Sequence, residues 1–259
     1  MSNIDKLKDI MELLRDPEKG CPWDVEQDYK SISPHTIEEA YEVVDAIDKG
    51  DMQALKEELG DLLLQVIFHS QMASEEGEFN FEDVVESINN KLIDRHPHVF
   101  GDADIKTANE QEKAWEEQKA KERAVKAGVV GESLSVLDGV AIALPALTRS
   151  VKLQKRAAKV GFDWADLEGV YSKIDEEFDE LKRAVNGDGN IAEEFGDLLF
   201  CISNLGRKLK LDPEVCLKGC NEKFIKRFKY IENSLNEQNK KLEDSTLEEM
   251  DRLWNEAKA

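Results

Sequence analysis

Two octapeptides with nearly the same sequence carry the residues best suited to chemistry in this chain. They are EELGDLLL at residues 57–64 and EEFGDLLF at residues 193–200, and six of their eight positions are identical. Each contains a Glu and an Asp three residues apart, followed by large apolar residues, so on a helix the two carboxylates share one face. A carboxylate beside apolar surface is costly unless it is neutralised, and carboxylate oxygens suit Mg²⁺, Mn²⁺ or Ca²⁺. The acid pairs are Glu58 with Asp61 and Glu194 with Asp197.

A second acidic motif, Glu-Glu-x-x-Glu, precedes each octapeptide, within TIEEAYEVVDAI at residues 36–47 and KIDEEFDELKRAV at residues 173–185. If the helix of this motif packs antiparallel to the helix of the octapeptide, four carboxylates meet, and a divalent cation is needed to offset their repulsion. The alternative is a solvated acidic helix face, but the duplicated acid pair inside an apolar helix argues against it. We therefore predict two metal-ligand sets: Glu39, Glu42, Glu58 and Asp61, and Glu177, Glu180, Glu194 and Asp197.

Basic and aromatic residues follow each acidic set at positions suited to a phosphate ligand. Lys91 and Arg95 are four residues apart on one predicted helix, and so are Lys223 and Arg227. Each pair is able to contact one polyphosphate, although an ordinary surface pair has the same spacing. Trp254 has two interpretations, because its ring suits both stacking on a nucleobase and packing of the last helix against the core.

These motifs occur twice in the same order, with a period of about 135 residues. A Trp, the Glu-Glu-x-x-Glu motif, the octapeptide and an Asn-x-Lys-x-x-x-Arg motif follow one another in both halves. The chain therefore consists of two homologous halves, and the glycine-containing stretch between them is the predicted linker. The predicted boundaries are residues 1–125 for the first module, 126–145 for the linker and 146–259 for the second module.

Helical periodicity extends through nearly every segment, and alternating β-branched runs are few, so the predicted fold is all-α. In the helix of residues 36–47, one face is apolar and the other is acidic. The apolar face carries Ile37, Ala40, Val44 and Ile47, and the acidic face carries Glu38, Glu39, Glu42 and Asp45. The next helix is apolar over most of its circumference, which predicts that it is buried in a helix bundle. His69 lies on that helix and is interpreted as a core histidine.

Composition and charge limit the partners of the 259-residue chain. The formal net charge of −21 argues against binding to nucleic acid, whose phosphates need a cationic surface. The longest apolar stretch, LSVLDGVAIALPAL, is interrupted by Asp138 and Pro145 and is too short to span a membrane. The N-terminal residues form an amphipathic pattern instead of a cleavable leader. The four cysteines form neither a disulfide framework nor a zinc site, so we expect reduced thiols in a cytoplasmic protein.

The ordered set of motifs resembles the MazG family of the all-α nucleoside triphosphate pyrophosphatase superfamily over essentially the whole chain. The matching segments are GCPWD, EEAYEVVDAI, EELGDLLLQV and RHPHVF in the first half, and KRAAKVGFDW, DEEFDE, EEFGDLLF and NEKFIKRF in the second. The resemblance implies two tandem helical modules completed by dimerisation, and Mg²⁺-dependent hydrolysis of canonical or noncanonical nucleoside triphosphates, with Mn²⁺ as a substitute. In the second half it places the metal ligands at the second acidic set, the phosphate contacts at Lys223 and Arg227, and the base-stacking aromatic at Trp254.

The resemblance implies attack of water on the α-phosphorus, with release of pyrophosphate. Glu176 and Glu193 are the candidates for the carboxylate that orients or deprotonates the water, because each lies beside a predicted ligand. The alternative function is a nucleotide-sensing or scaffold protein with weak or no turnover. We expect the second module to carry most of the hydrolysis, because the glycine-rich NGDGN loop joins its acidic helices. The first module would then mainly support dimerisation or act on fewer substrates.

Overall fold

The computed structural model describes residues 2–107, 109–111, 114–115, 118–119 and 135–258, and within these ranges it contains helices, turns and loops but no strand. The prediction of an all-α fold is therefore confirmed. The chain divides into two compact units, Met1–Lys121 and Glu122–Ala259. Residues 126–134 of the predicted linker lie outside the described residues, so the exact module boundaries stay a prediction.

The first unit contains six described helices: α1 (Asn3–Leu14), α2 (Pro22–Glu26), α3 (Tyr29–Lys49), α4 (Met52–Glu75), α5 (Phe81–Arg95) and α6 (Pro97–Phe100). The α3 and α4 helices pack along each other, and α1 and α5 both pack on α4. Apolar side chains from α1, α3 and α4 form the core of this unit. Its fully buried members are Met11, Ile32, Ile67, Phe68 and Met72.

The second unit contains five described α-helices: α7 (Ala146–Lys159), α8 (Leu167–Val185), α9 (Ile191–Lys208), α10 (Pro213–Glu237) and α11 (Leu247–Glu256). A short 3₁₀ helix, Leu242–Asp244, precedes α11. The α9 helix packs on both α7 and α8, and α10 packs on α11. A core cluster of Ile231, Leu235 and Leu253 joins α10 to α11.

The turns between the two acidic helices differ in length between the units. Gly50 ends α3 with a φ of 68°, a left-handed conformation that glycine adopts without a steric penalty, and the Asp51 carboxylate caps α4. The corresponding connection in the second unit is the longer stretch of residues 186–190, in which Gly187 and Gly189 have φ values of 99° and 129°. The expected glycine-rich loop is therefore present in the second unit, whereas a short capped turn joins the two helices in the first.

The apolar face of α3 is exposed in the first unit. Ile37, Val44 and Ile47 are 48%, 41% and 56% exposed, whereas Ala46 is buried and Glu39 is half-buried. Periodicity shows that a helix has an apolar side but not which neighbour covers that side. In this unit the side of α3 that carries Glu39 is packed more deeply than its apolar side.

The α4 helix is likewise less buried than its sequence predicted. Ile67 and Phe68 are fully buried, but Leu59 is 50% exposed and Val66 is 38% exposed. Only one side of α4 faces the core of the first unit, so the expectation of burial over most of its circumference was wrong. The described unit thus leaves apolar surface uncovered on both helices that carry the acids.

Candidate metal centre

Three carboxylates converge between α3 and α4 in the first unit. Glu39 comes from α3, and Glu58 and Asp61 lie one turn apart on α4. One carboxylate oxygen from each residue lies within 4.8 Å of the other two. The α3–α4 packing brings residues together that are about twenty positions apart in the sequence, and helical spacing aligns the pair on α4. The result is an all-oxygen donor set of the kind that hard divalent cations prefer.

The second unit repeats this triad between α8 and α9. Glu177 comes from α8, and Glu194 and Asp197 come from α9, again with one oxygen of each within 4.8 Å of the others. Glu177 is buried, with 5% of its surface exposed, whereas Asp197 is exposed. The two triads occupy equivalent positions in the two copies of the motif.

The fourth acid of each predicted set lies beside its triad instead of within it. Burial raises the pKa of Glu58, and the neighbouring charge of Glu42 raises it further. The pKa of Glu194 is likewise raised by burial and then by the charge of Glu180. The Glu180 carboxylate accepts a hydrogen bond of 2.8 Å from the Arg183 guanidinium.

Repulsion among the carboxylates is visible in the first unit as well. Burial raises the pKa of Glu39, and the charges of Asp61, Glu42 and Glu58 add to that shift. The raised pKa values of Glu39, Glu58 and Glu194 mean that these carboxyls favour a proton or a cation more than free carboxyls do. This electrostatic state is what a divalent cation would relieve.

Lys173 supplies a positive charge to the second triad that sequence analysis did not identify. Its Nζ lies 2.7 Å from Oε1 of Glu177 and 2.9 Å from Oε1 of Glu176. The hydrogen bonds to Glu176 and Glu177 raise the pKa of Lys173 well above its usual value, so the side chain stays charged. The signal in the sequence was the four-residue spacing from Lys173 to Glu177 on one helix.

Glu176 and Glu193, the two candidate bases, are exposed on α8 and α9 beside the second triad. Glu176 is engaged with Lys173, whereas Glu193 lies in the first turn of α9. Both carboxylates are adjacent in sequence to triad residues, and neither belongs to the group of converging oxygens. Their assignment as bases stays a prediction.

The predicted phosphate contacts of the second unit lie on α10. Lys223 is exposed, and the Arg227 guanidinium lies 5.4 Å from the centroid of the Trp254 ring. Trp254 also packs against Phe224, with 5.1 Å between ring centroids, and against the α10–α11 core cluster. Within the described part of the chain neither basic residue forms an ion pair with the second triad. These neighbours suit the packing role of Trp254, and its stacking on a base stays a prediction.

The corresponding basic residues of the first unit lie on α5. Lys91 is exposed and borders an open groove with Phe79, Asp83 and Ile88. Arg95 is half-buried, and its backbone carbonyl accepts a hydrogen bond of 2.9 Å from the indole N–H of Trp115. This contact positions the backbone of Arg95, and a phosphate contact by Lys91 and Arg95 stays a prediction.

His69 is half-buried on α4, as its sequence position indicated. Its Nε2 lies 3.1 Å from the hydroxyl of Thr36, and its ring stacks on Tyr29 with 6.0 Å between centroids. Burial lowers the pKa of the imidazole. The residue is therefore a structural histidine that favours its neutral form.

The chain is similar in sequence to known proteins. A sequence model described as the MazG nucleotide pyrophosphohydrolase domain matches residues 27–100, which include the first triad. The chain is 46% identical over 262 residues to the "Nucleoside triphosphate pyrophosphohydrolase" of Escherichia coli (strain K12), with 100% of this chain and 98% of that protein covered. It is also 46% identical over 256 residues to the "Nucleoside triphosphate pyrophosphohydrolase/pyrophosphatase MazG" of Thermotoga maritima, with 98% and 95% covered.

A more distant match covers part of the chain. The "Nucleoside triphosphate pyrophosphohydrolase" of Mycobacterium tuberculosis is 36% identical over 159 residues, which is 61% of this chain and 46% of that protein. None of the described helices is long and apolar enough to cross a membrane. The similarity to the Escherichia coli protein extends over both triads.

Proposed function

The chain belongs to the MazG family of nucleotide pyrophosphohydrolases, and from this membership we propose that it hydrolyses nucleoside triphosphates to nucleoside monophosphates and pyrophosphate with Mg²⁺. It is a hydrolase that acts on phosphoanhydride bonds. The observation that carries the proposal is the carboxylate triad that recurs between paired helices in both units. Canonical and noncanonical ribo- and deoxyribonucleotides both belong to the proposed substrate class.

The donor chemistry of the triads fits a hard divalent cation. Each triad offers only carboxylate oxygens, and burial together with neighbouring negative charges raises the pKa values of Glu39, Glu58 and Glu194. Glu177, Glu194 and Asp197 would hold Mg²⁺ in the second unit, with Glu180 as the fourth ligand. Glu39, Glu58 and Asp61 would hold it in the first, with Glu42 as the fourth. Mn²⁺ has similar ligand preferences and would substitute.

The residues around the triad account for the proposed reaction. When bound, Mg²⁺ supplies positive charge against the phosphates and activates a water nucleophile. Glu193 or Glu176 accepts the proton from the water as its oxygen bonds to the α-phosphorus. The bond between the α-phosphorus and the bridging oxygen breaks, and Lys223 and Arg227 contact the departing pyrophosphate. Lys91 and Arg95 would have this role in the first unit.

We assign most of the turnover to the second unit. Its triad includes the buried Glu177, and the loop of residues 186–190 borders Glu194, since a Cβ added at Gly189 would lie 3.7 Å from Oε1 of Glu194. A loop with two glycines in left-handed conformations is able to adjust around a phosphate, whereas the first unit has only a tight capped turn.

We also propose that the protein forms a homodimer in the cytoplasm. The support for dimerisation is the uncovered apolar face of α3, with Ile37, Val44 and Ile47, next to the exposed Leu59 and Val66 of α4. An apolar face of this extent is more stable when a second copy covers it. The four cysteines are free, as suits a reducing compartment.

The proposal is tested by incubating the purified protein with a panel of nucleoside triphosphates and measuring nucleoside monophosphate and pyrophosphate. We expect turnover with Mg²⁺ or Mn²⁺ and none with EDTA. Release of orthophosphate and nucleoside diphosphate would refute the proposed bond cleavage. Nucleotide binding without turnover under any metal condition would favour the alternative of a sensor or scaffold.

A further inference from the structure

We propose that Gln65 completes the first triad as an additional oxygen ligand. The first unit would then hold a divalent cation before any nucleotide binds, an inference that rests on the proposed metal-dependent hydrolysis. Gln65 lies on α4 and is 7% exposed. Its Oε1 atom is buried and has no hydrogen-bond partner among the described residues. An unsatisfied buried acceptor is unfavourable in a folded protein, and a cation beside it would satisfy it.

The helical position of Gln65 places its side chain on the face of α4 that carries the acids. Glu58, Asp61 and Gln65 follow one another at intervals of three and four residues, so they lie one above another on the helix surface. Side chains on a helix also lean towards its N-terminus, which directs the Gln65 carboxamide over the turn that carries Asp61. The neutral oxygen of Gln65 is therefore directed towards the triad.

Contacts on both sides of Gln65 show that this face of α4 meets α3. In the N-terminal direction, Asp61 converges with Glu39 of α3, with one carboxylate oxygen of each within 4.8 Å of the other. In the C-terminal direction, Nε2 of His69 lies 3.1 Å from the hydroxyl of Thr36 on α3. Gln65 lies midway between Asp61 and His69 along α4, so it faces α3 between these two contacts. Its carboxamide is enclosed by the same two helices that bring the triad together.

The equivalent position of the second unit carries a different side chain. Cys201 lies four residues beyond Asp197, as Gln65 lies four residues beyond Asp61. Burial and the charge of Glu177 raise the pKa of the Cys201 thiol to about 11. The thiol is thus close enough to interact with the most buried acid of its triad, which supports the same location for Gln65. A protonated thiol is a poor ligand for a hard cation, so this position adds no ligand in the second unit.

The two units also differ in the positive charge that the protein supplies to each triad. Nζ of Lys173 lies 2.7 Å from Oε1 of Glu177 in the second triad. The corresponding residue of the first unit is His35, whose ring lies 3.4 Å from Glu38, outside the triad. A lysine competes with a metal ion for the same carboxylate, so a divalent cation is attracted more strongly to the first triad than to the second.

The donor set defines the class of cation. Carboxylate and carboxamide oxygens are hard donors, which suit Ca²⁺, Mn²⁺ and Mg²⁺. Carboxamide oxygens are ordinary ligands of Ca²⁺, whereas Mg²⁺ keeps several water molecules and binds through fewer protein ligands. The first unit is therefore suited to a resident cation, and the second unit is suited to a cation that arrives with the nucleotide.

The test measures Mn²⁺ binding to the full-length protein without nucleotide, by calorimetry, one unit at a time. Glu194→Gln/Asp197→Asn removes the second triad and reports on the first. Glu58→Gln/Asp61→Asn removes the first triad and reports on the second. We expect the first unit to bind Mn²⁺ roughly tenfold more tightly than the second, the lower end of the effect that one supporting residue has on a metal centre.

Addition of Gln65→Met to the variant that reports on the first unit isolates the role of the oxygen. We expect its affinity for Mn²⁺ to fall roughly 10- to 100-fold. The melting temperature in EDTA should not fall, because Met conserves the length of the side chain and removes an unsatisfied acceptor. Gln53→Met, at an exposed position of the same helix, is the matched control and should change neither quantity.

Three results would overturn the proposal. The first is an unchanged Mn²⁺ affinity after Gln65→Met, and the second is Mn²⁺ binding to the second unit that is as tight as binding to the first. The third is a fall in melting temperature that is as large in EDTA as in Mn²⁺, which would give Gln65 a purely structural role. If Gln65→Met does not fold, Gln65→Glu keeps an oxygen at the same position and adds a charge. It should bind Mn²⁺ more tightly than its parent, and equal or weaker binding would also refute the proposal.

Pyrophosphate release separates this inference from the proposed function. If the wild-type protein releases pyrophosphate from no nucleoside triphosphate, the proposed function fails, whatever the metal titrations give. If the wild-type protein is active with Mg²⁺ and Gln65→Met leaves the Mn²⁺ affinity of the first unit unchanged, only the role of Gln65 fails.

Discussion

The ammonium group of Lys173 lies 2.7 Å from a carboxylate oxygen of Glu177, the most buried acid of the second triad. Lys173 therefore supplies part of the positive charge that a divalent cation would bring to this triad. The corresponding contact in the first unit is different, because His35 lies 3.4 Å from Glu38, which is not a triad member. The two triads are thus electrostatically unequal although their acids match.

Replacement of Lys173 by Met should lower the melting temperature of the protein in EDTA. It should also increase the rise in melting temperature that Mg²⁺ produces. Loss of one partner of a buried ion pair costs about 3–5 kcal/mol, and we expect less, about 1–3 kcal/mol, because the Lys173 side chain is 33% exposed. Thermal melting in EDTA and in Mg²⁺ measures this change. Lys182→Met is the control, since it removes an exposed ion pair with Asp179 on the same helix. Equal melting of wild type and Lys173→Met in EDTA would contradict the prediction.

Matched substitutions in the two triads should show which unit carries the turnover. We expect Glu194→Gln/Asp197→Asn to lower kcat/KM roughly 10²- to 10³-fold on most substrates, since groups that stabilise charge in the transition state have effects of this size. Glu58→Gln/Asp61→Asn should have a smaller effect on the same panel of nucleotides. A larger loss from the substitutions in the first unit would reverse the assignment.

The same variants should melt no lower than wild type in EDTA. Burial and the charges of Glu180 and Glu177 raise the pKa of Glu194, so removing its charge relieves unfavourable interactions. A lower melting temperature in EDTA for Glu194→Gln would show that the carboxylate stabilises the fold instead of binding a cation.

Acidification below about pH 6.5 should lower the free energy of unfolding of the wild-type protein, because His69 then takes up a proton more readily in the unfolded chain than in the folded one. Burial lowers the pKa of this imidazole in the folded state below the ordinary value of 6.5, so the unfolded chain takes up a proton first. The stability that neutral His69 contributes to the folded state is fully present above pH 6.5. It is lost as the pH falls towards the lowered pKa of the folded state. Chemical unfolding of wild type and His69→Gln between pH 7.5 and pH 5.5 measures the difference between their free energies of unfolding. This difference should shrink towards the acidic end of the range. An unchanged difference would refute the assignment.

A charge placed on the exposed apolar face of α3 should dissociate the proposed homodimer. Val44 is 41% exposed within its own unit, so Val44→Asp should leave the fold of the monomer intact while burying a carboxylate in the dimer. Sedimentation velocity should report the monomer mass for this variant and the dimer mass for the wild type. Lys56→Asp, at an exposed polar position of α4, is the control. A monomeric wild type would disprove the dimer.

The local features of this fold could be predicted from the sequence because they depend on residues close together in the chain. The spacing of Glu58 and Asp61 placed both acids on one face of α4. The repetition of the motifs indicated that a second triad would form around Glu194 and Asp197, and it does. Their roles as metal ligands stay predictions until the experiments above are done.

Tertiary structure decided the features that depend on which surfaces meet. Only the packing of α3 on α4 shows that Glu39 faces inward and that Ile37 and Val44 remain exposed, because the period of a helix does not identify its neighbours. Likewise the assembled unit buries the carboxamide oxygen of Gln65, which has no hydrogen-bond partner among the described residues. Hydrogen bonding and burial are properties of the assembled helices, so no local pattern in the sequence contains them.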